Sequence, residues 1–221
     1  MKNIYRCEIE LHDSLYYATR EIGRLYETEA ILHNYSLCYA LGLIKSDTYR
    51  YFCKEQIPQY EEHLTPLNEQ QIYVTPARSL RHASILNTWK YANNNYHVEM
   101  TKTQKNIPSF GRAKEIAPES CFEFFVISQN SLKLPKWIRL GKWMSKAEVK
   151  AELTPVKTKT GNFTCAYPLN PLDVMFTNQV ISYDVINMPP VSLIRNVTLN
   201  GEYYEGYEGL NLPVNMAYRF S

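Results

Sequence analysis

The sequence predicts an α+β chain that opens as a ferredoxin-like (RRM-like) domain and closes in a smaller β-rich portion, and three observations at its start carry that expectation. Residues 5–11 alternate, with Tyr5, Cys7, Ile9 and Leu11 on one side and Arg6, Glu8 and Glu10 on the other, the period of a strand with one buried face. A charged turn, ATREIGRLYETE, follows, in which Arg20 and Arg24 flank Gly23. Ile31, Leu32, Tyr35, Cys38, Tyr39 and Leu43 then recur at helical spacing, which predicts a helix capped by Thr28 and stopped at Gly42 and Lys45-Ser46-Asp47.

The later elements are read in the same way. Residues 46–64 are polar helix or loop, and QQIYVTPA (70–77) is a short strand ended by Pro76. Residues 78–120 lack sustained apolar periodicity, and 93–112, rich in Asn and Lys, are expected to form a loop or hairpin that orders only within an assembly. FEFFVIS (122–128) is a strand, and WIRLGKWM, AEVKAEL, VISYDVI and VTLNGEYYEGY predict more strands in a Pro-punctuated C-terminal third. The expected division is a body at 1–128, with an insertion at 78–120, and a β-rich portion at 129–221.

With 221 residues, 45% hydrophobic and 21% charged, the chain can bury a sizeable core, which excludes global disorder. Tyrosine is abundant, 18 against 8 Phe and 3 Trp, and its amphipathic ring suits a protein with many interfaces. Cys7, Cys38, Cys53, Cys121 and Cys165 form an odd set without metal-ligand spacing, so reduced buried thiols and a cytoplasmic location are expected. The N-terminus enters a strand directly and no apolar run reaches the roughly 18 residues of a bilayer span, so neither secretion nor membrane insertion is expected.

A net charge of +2 conceals segregation. Residues 1–75 hold 7 bases and 11 acids, whereas residues 78–114 hold Arg78, Arg81, Lys90, Lys102, Lys105, Arg112 and Lys114 against Glu99 alone. A second basic block, residues 132–159, has 8 bases against Glu148 and Glu152. Within it, PKWIRLGKWMSK interleaves Trp137 and Trp143 with Lys136, Arg139, Lys142 and Lys146, a mixture in which rings can stack on unpaired bases while cations follow a phosphate backbone. Two basic blocks in an acidic frame point to a local polyanion site. The plainer alternative is two solvated faces and a pair of core tryptophans.

Enzyme chemistry finds little support. The sequence has no Walker loop, GxGxxG, HExxH or CxxC. His33 is the best lone candidate for proton transfer, and it reads more simply as a helix residue. Glu27, Thr28 and Glu29 could hold a metal, yet acids in a first helical turn are explained by the helix dipole. No metal, cofactor or catalytic residue is expected.

The segment at residues 5–44, together with LNTWKYAN (86–93), NIPSFGRAKEIAPES (106–120), PKWIRLGKWMSKAEV (135–149), NPLD (170–173) and SYDVINMPPVSLI (182–194), resembles the Cas-five/Csc-one family, the small RAMP-superfamily subunit of type I-D CRISPR Cascade. The likeness covers nearly the whole chain and lies in the order of these segments. It implies a RAMP domain in which residues 78–120 are a thumb-like hairpin or loop. It also implies a non-catalytic subunit that binds the 5′ handle of crRNA, caps the foot of the backbone filament and supports RNA-guided antiviral DNA interference. The implied partners are the backbone Cas-seven-type subunit and the Cas-ten-type large subunit, with target DNA nearby. On this reading Arg20 and Arg24, in the Gly23 turn, join the two basic blocks as RNA contacts. The rival, known from relatives in another subtype, is a metal-independent endoribonuclease that processes precursor crRNA.

Overall fold

Strand β1 (Asn3–Leu11) buries Tyr5, Cys7, Ile9 and Leu11, the face that alternation predicts. It runs through the middle of an antiparallel sheet in a computed structural model that describes residues 2–44, 58–91 and 109–220. One neighbour of β1 is β9 (Cys121–Ser128); the other is β11 (Ser145–Leu153), with β10 (Trp137–Leu140) forming the edge beyond. On the far side β9 pairs with β5 (Ile72–Val74) and β6 (Ala77–Arg81), and β6 with β4 (Ile31–Leu32). Phe122, Phe124, Phe125 and Val126 make β9 buried on both faces, as the apolar run at residues 124–127 predicts.

The chain from β1 to β5 forms β2 (Arg20–Ile22) and β3 (Leu25–Glu27), then α1 (Asn34–Ala40) and α2 (Tyr60–Glu69). The helix expected from Thr28 therefore starts later. Thr28 donates its N–H to Lys114 O (3.0 Å), its Oγ1 accepts from Tyr17 N (3.0 Å), and Ile31 and Leu32 pair with β6. Tertiary pairing overrides the helical spacing there, and His33 caps α1, with Nδ1 accepting from Tyr35 N (3.2 Å). The stop signal stands: Gly42 has φ +69° just beyond the C-cap Leu41. Of residues 46–64, those from 58 onward are described, and they lead into α2.

β7 (Ser84–Tyr91) and β8 (Ser109–Ile116) form an antiparallel ribbon inside the region expected to be a thumb-like insertion. Parallel pairing of β8 with β3 gives a small sheet ordered β2-β3-β8-β7. The loop expected at 93–112 lies outside the described residues as far as 108, and 109–112 belong to β8.

A third sheet combines β12 (Lys157–Cys165), β14 (Leu193–Glu205), β13 (Gln179–Ile186) and β15 (Asn211–Pro213), with the short α3 (Pro171–Val174) between β12 and β13. Phe163, Cys165, Tyr167, Leu199 and Leu212 share one continuous core with Ile4, Cys7 and Phe124. The expected boundary at residue 128 coincides with no break in sheet or core, since β10 and β11 pair into the β1 sheet.

The ferredoxin-like α+β expectation is met only in part. Strands β11, β1, β9 and β6 lie side by side, with α1 and α2 in the connection leaving β1. The second crossover helix of a βαββαβ unit has no counterpart, because residues 129–136 form no helix between β9 and β10. The described chain is β-rich. No helix among the described residues is long and apolar enough to cross a membrane.

Candidate nucleic-acid interface

The β10–β11 hairpin positions the second basic block by simple alternation. Ile138, Leu140, Ala147 and Ser145 point inward and are buried; Trp137, Arg139, Lys146 and Glu148 share the opposite face, in the cross-strand pairs Trp137↔Glu148 and Arg139↔Lys146. The turn between the strands is held against residues 13–16. Lys142 N donates to Tyr16 O (2.9 Å), Ser145 Oγ to Ser14 O (2.5 Å) and Lys146 N to Asp13 Oδ2 (2.9 Å). Gly141 is required twice over: its φ is +71°, and a Cβ there would stand 2.7 Å from both Leu15 Cδ1 and Tyr16 O.

This clamping raises an aromatic ridge containing all three tryptophans of the chain. Trp137 and Trp143 are 43% and 44% exposed, and Trp89, from β7, is 46% exposed. The Trp143 ring packs on Tyr16 (centroids 4.8 Å, 33°) and meets Trp89 edge to face (5.6 Å, 77°), joining the hairpin to the small sheet. Trp137 carries the Lys146 ammonium over its ring at 4.0 Å and meets His12 edge to face at 5.1 Å. Lys142 lies 5.9 Å from the Tyr16 ring. Two acids temper the charge: Glu148 pairs with Lys136 (3.3 Å), and Asp13 lies 3.8 Å from Arg139, whose Nη1 also donates to Met144 O (3.1 Å).

Of the residues expected from sequence, the fold thus brings Trp137, Arg139, Lys142, Trp143 and Lys146 together. Arg20 and Lys114 meet elsewhere, on the small sheet, through Glu27, which lies 2.5 Å from Arg20 Nη2 and 3.5 Å from Lys114 Nζ. Arg24 is exposed in the Gly23 turn, where Gly23 has φ +61°, and its carbonyl accepts from Arg112 N (2.8 Å). The Arg112 side chain is exposed and shares a ribbon face with Lys114; alternation puts both on the face opposite Trp89. Lys90 follows Trp89 on β7, and Lys102 and Lys105 lie outside the described residues.

Arg78 and Arg81 are used differently. Arg78 donates from Nε and Nη2 to Glu123 Oε2 (2.9 and 2.7 Å), stacks over the Tyr167 ring at 4.0 Å and donates to its hydroxyl at 3.0 Å. Arg6 takes the other oxygen of Glu123, a carboxylate with no exposed surface. Arg78 is therefore committed to satisfying a buried charge, and its strand lies four positions from β10, roughly 19 Å across the sheet. Between them the same sheet face carries Glu8, Glu10 and Glu148. Arg81 Nε donates to Glu119 O at 3.3 Å.

Three ridge residues were not expected from the sequence: His12, Tyr16 and Trp89. Trp89 had a legible signal, being one of only three tryptophans and adjacent to Lys90 in a basic stretch. His12 and Tyr16 had none, because contact with the hairpin depends on a turn 125 or more residues away in the chain.

The residues considered for chemistry are placed as plainly. His33 is buried, its Nδ1 accepts from Tyr35 N, and Nε2 donates to Val191 O at 3.2 Å; burial pushes its pKa down to about 4. Cys7, Cys38 and Cys165 are free, buried thiols, each pushed up to about 12 by desolvation, and Cys121 is free as well. No cluster of metal-ligating side chains occurs among the described residues.

Comparison with known proteins supplies the family. Residues 2–221 match the family described as type I-D CRISPR-associated protein Cas5/Csc1. The chain belongs to that family. It is accordingly a subunit of a type I-D CRISPR effector system. Among solved structures, the chain is similar to a CRISPR protein from Archaeoglobus fulgidus, with 12% identity, a TM-score of 0.50 and coverage of 96% of this chain and 98% of that one. It is also similar to a chain of the Type III-B Cmr-beta complex bound to cognate target RNA and AMPPnP, with 10% identity, a TM-score of 0.46 and coverage of 88% and 86%. At such identities the first likeness concerns the fold alone. No curated protein matches the chain.

Proposed function

We propose that this Cas5/Csc1 protein is a non-catalytic subunit that holds the 5′ handle of crRNA, caps the foot of the effector's backbone filament and docks the large subunit. The observation that supports this most is the β10–β11 ridge, where exposed indole rings stand among Lys136, Arg139, Lys142 and Lys146. A single strand needs cations for phosphates and ring faces for splayed bases, and needs no proton-transfer pair. The backbone partner is of the Cas-seven type and the large subunit of the Cas-ten type; the acidic strip around Glu8 and Glu10 offers them a surface of the opposite charge to the ridge.

The rival reading is a metal-independent endoribonuclease. One geometry favours it: the Tyr39 hydroxyl lies 2.7 Å from His63 Nδ1, a pair able to exchange a proton. His33 cannot serve in this way, because both its nitrogens are engaged in the interior. Incubating the protein with labelled repeat RNA without metal separates the readings. Retention without cleavage is expected; a cut lost on His63→Ala supports the enzyme, and neither retention nor cleavage removes both.

A further inference from the structure

We propose that the two tryptophans of the hairpin have different tasks: Trp137 is the platform on which one unpaired nucleobase of the bound strand stacks, and Trp143 is a clasp. This rests on the reading that the hairpin meets crRNA.

The two indoles are equally exposed, so exposure does not distinguish them; their neighbours do. Trp143 is engaged by Tyr16 and Trp89, and it sits in the turn that Gly141 and Lys142 pin to the Tyr16 backbone. It links two sheets. Trp137 projects from β10, beyond which no further strand pairs among the described residues. Among the described residues its one ring neighbour is His12, which meets it edge to face, while Lys146 and Lys136 lie 4.0 and 5.8 Å from its centroid.

The surroundings select the occupant. A ring held among Lys136, Arg139 and Lys146 attracts a planar group that arrives with negative charge, as a base does on its own phosphate chain. An ammonium resting on the indole can move to a phosphate when a base covers the ring, exchanging one contact for another. Bases in a duplex present no free faces, so the group is unpaired.

The test uses the full-length chain and single-stranded RNA carrying the repeat's 5′ handle, with affinity measured at several salt concentrations. Trp137→Ala is expected to weaken binding roughly 10- to 100-fold. The salt slope should not change, because stacking releases no counterions. Trp137→Phe should recover most of the loss. Trp143→Ala should lower the unfolding midpoint and weaken binding less than Trp137→Ala. Oligonucleotides with a single abasic site, scanned along the handle, should reveal one position whose loss weakens the parent and leaves Trp137→Ala unaffected, the signature of a direct pair. The same Trp137 dependence with DNA of equal sequence would show that the base face, not the sugar, is recognised. If the parent binds handle RNA and Trp137→Ala binds within about twofold of it, the platform is wrong while the handle reading survives. A Trp143→Ala loss larger than that of Trp137→Ala reverses the assignment. A parent that retains no RNA overturns both.

Discussion

A single oxygen of Glu27, Oε2, accepts from both Nε and Nη2 of Arg20 at 3.0 and 2.5 Å, occupying two donors that a phosphate would otherwise receive. Arg20, with a further contribution from Lys114, holds the Glu27 carboxyl below its ordinary range, and Glu27 raises Arg20 in return. Glu27 thus competes with any phosphate approaching these two cations. Glu27→Gln is expected to tighten RNA binding. It should also steepen the salt dependence, by up to about 1.4 in slope if each released cation gains one single-strand phosphate at about 0.7 apiece. An unchanged slope in titrations of the folded variant would place Arg20 and Lys114 outside the RNA site.

Arg78 is expected to matter more to folding than to RNA. Removing it leaves Glu123, which has no exposed surface, with Arg6 as its remaining cation. Breaking a fully buried pair costs about 3–5 kcal/mol, and the partial exposure of Arg78 together with the retained Arg6 reduces this to about 1–3 kcal/mol for Arg78→Ala. Urea unfolding should show that loss, and adding Glu123→Gln to the variant should restore part of it. A variant as stable as the parent, yet weak in RNA binding, would return Arg78 to the interface.

The contrast between Arg78 and Arg139 shows what the sequence could and could not say. Both are arginines in basic stretches, and charge counting treats them alike. Alternation along β1 and β10 is a local property, so their buried faces were readable from residue spacing. WIRLGKWM, expected as one strand, instead turns at residues 141–144, and Lys146 joins Trp137 and Arg139 only through the pairing of β11 with β10. The fate of Arg78 depends on Glu123 and Tyr167, 45 and 89 residues away, and no local pattern encodes that distance. The Thr28 cap failed for the same reason. A helical spacing at residues 31–43 was real from Asn34 onward, but β8 and β6 claimed the backbone of residues 28–32 for pairing. Tyr16 joined the ridge through the Gly141 turn, which only the folded chain reveals.

Gly141→Ala should disturb the ridge without touching a single charge. Alanine there must hold a left-handed conformation, costing about 1–2 kcal/mol, and its Cβ would also meet the Tyr16 carbonyl. Destabilisation of at least about 1 kcal/mol is expected, with a change in tryptophan fluorescence as Trp143 shifts on Tyr16. Wild-type stability and emission would show that the turn is not pinned to residues 13–16 as described.

The pH dependence of stability should be set by two opposed buried groups on neighbouring stretches of chain. Asp173 accepts from Asn34 Nδ2 (3.0 Å), the Tyr73 hydroxyl (2.9 Å) and Arg219 N (3.2 Å), yet burial dominates and raises its pKa to about 7. His33, adjacent to Asn34, is pushed down to about 4 by burial. An Asp raised above its unfolded value near 3.9 binds a proton in the folded state that the unfolded chain has lost, so its contribution falls as pH rises from about 4 to about 7. A His lowered from an unfolded value near 6.5 does the reverse, losing stability as pH falls from about 6.5 to about 4. Tyr35, Tyr73, Tyr218 and Cys38 surround the network with pKa values raised by burial, so they do not titrate in this window. Between about pH 4 and 6.5 the two slopes oppose each other, and the parent's stability should be nearly level. Asp173→Asn should uncover stability that rises with pH, and His33→Asn, which keeps a capping side chain, stability that falls, each by up to about 1.4 kcal/mol per pH unit. Urea midpoints measured across this range decide it: an Asp173→Asn profile parallel to the parent's would show that Asp173 does not carry its proton into the folded state.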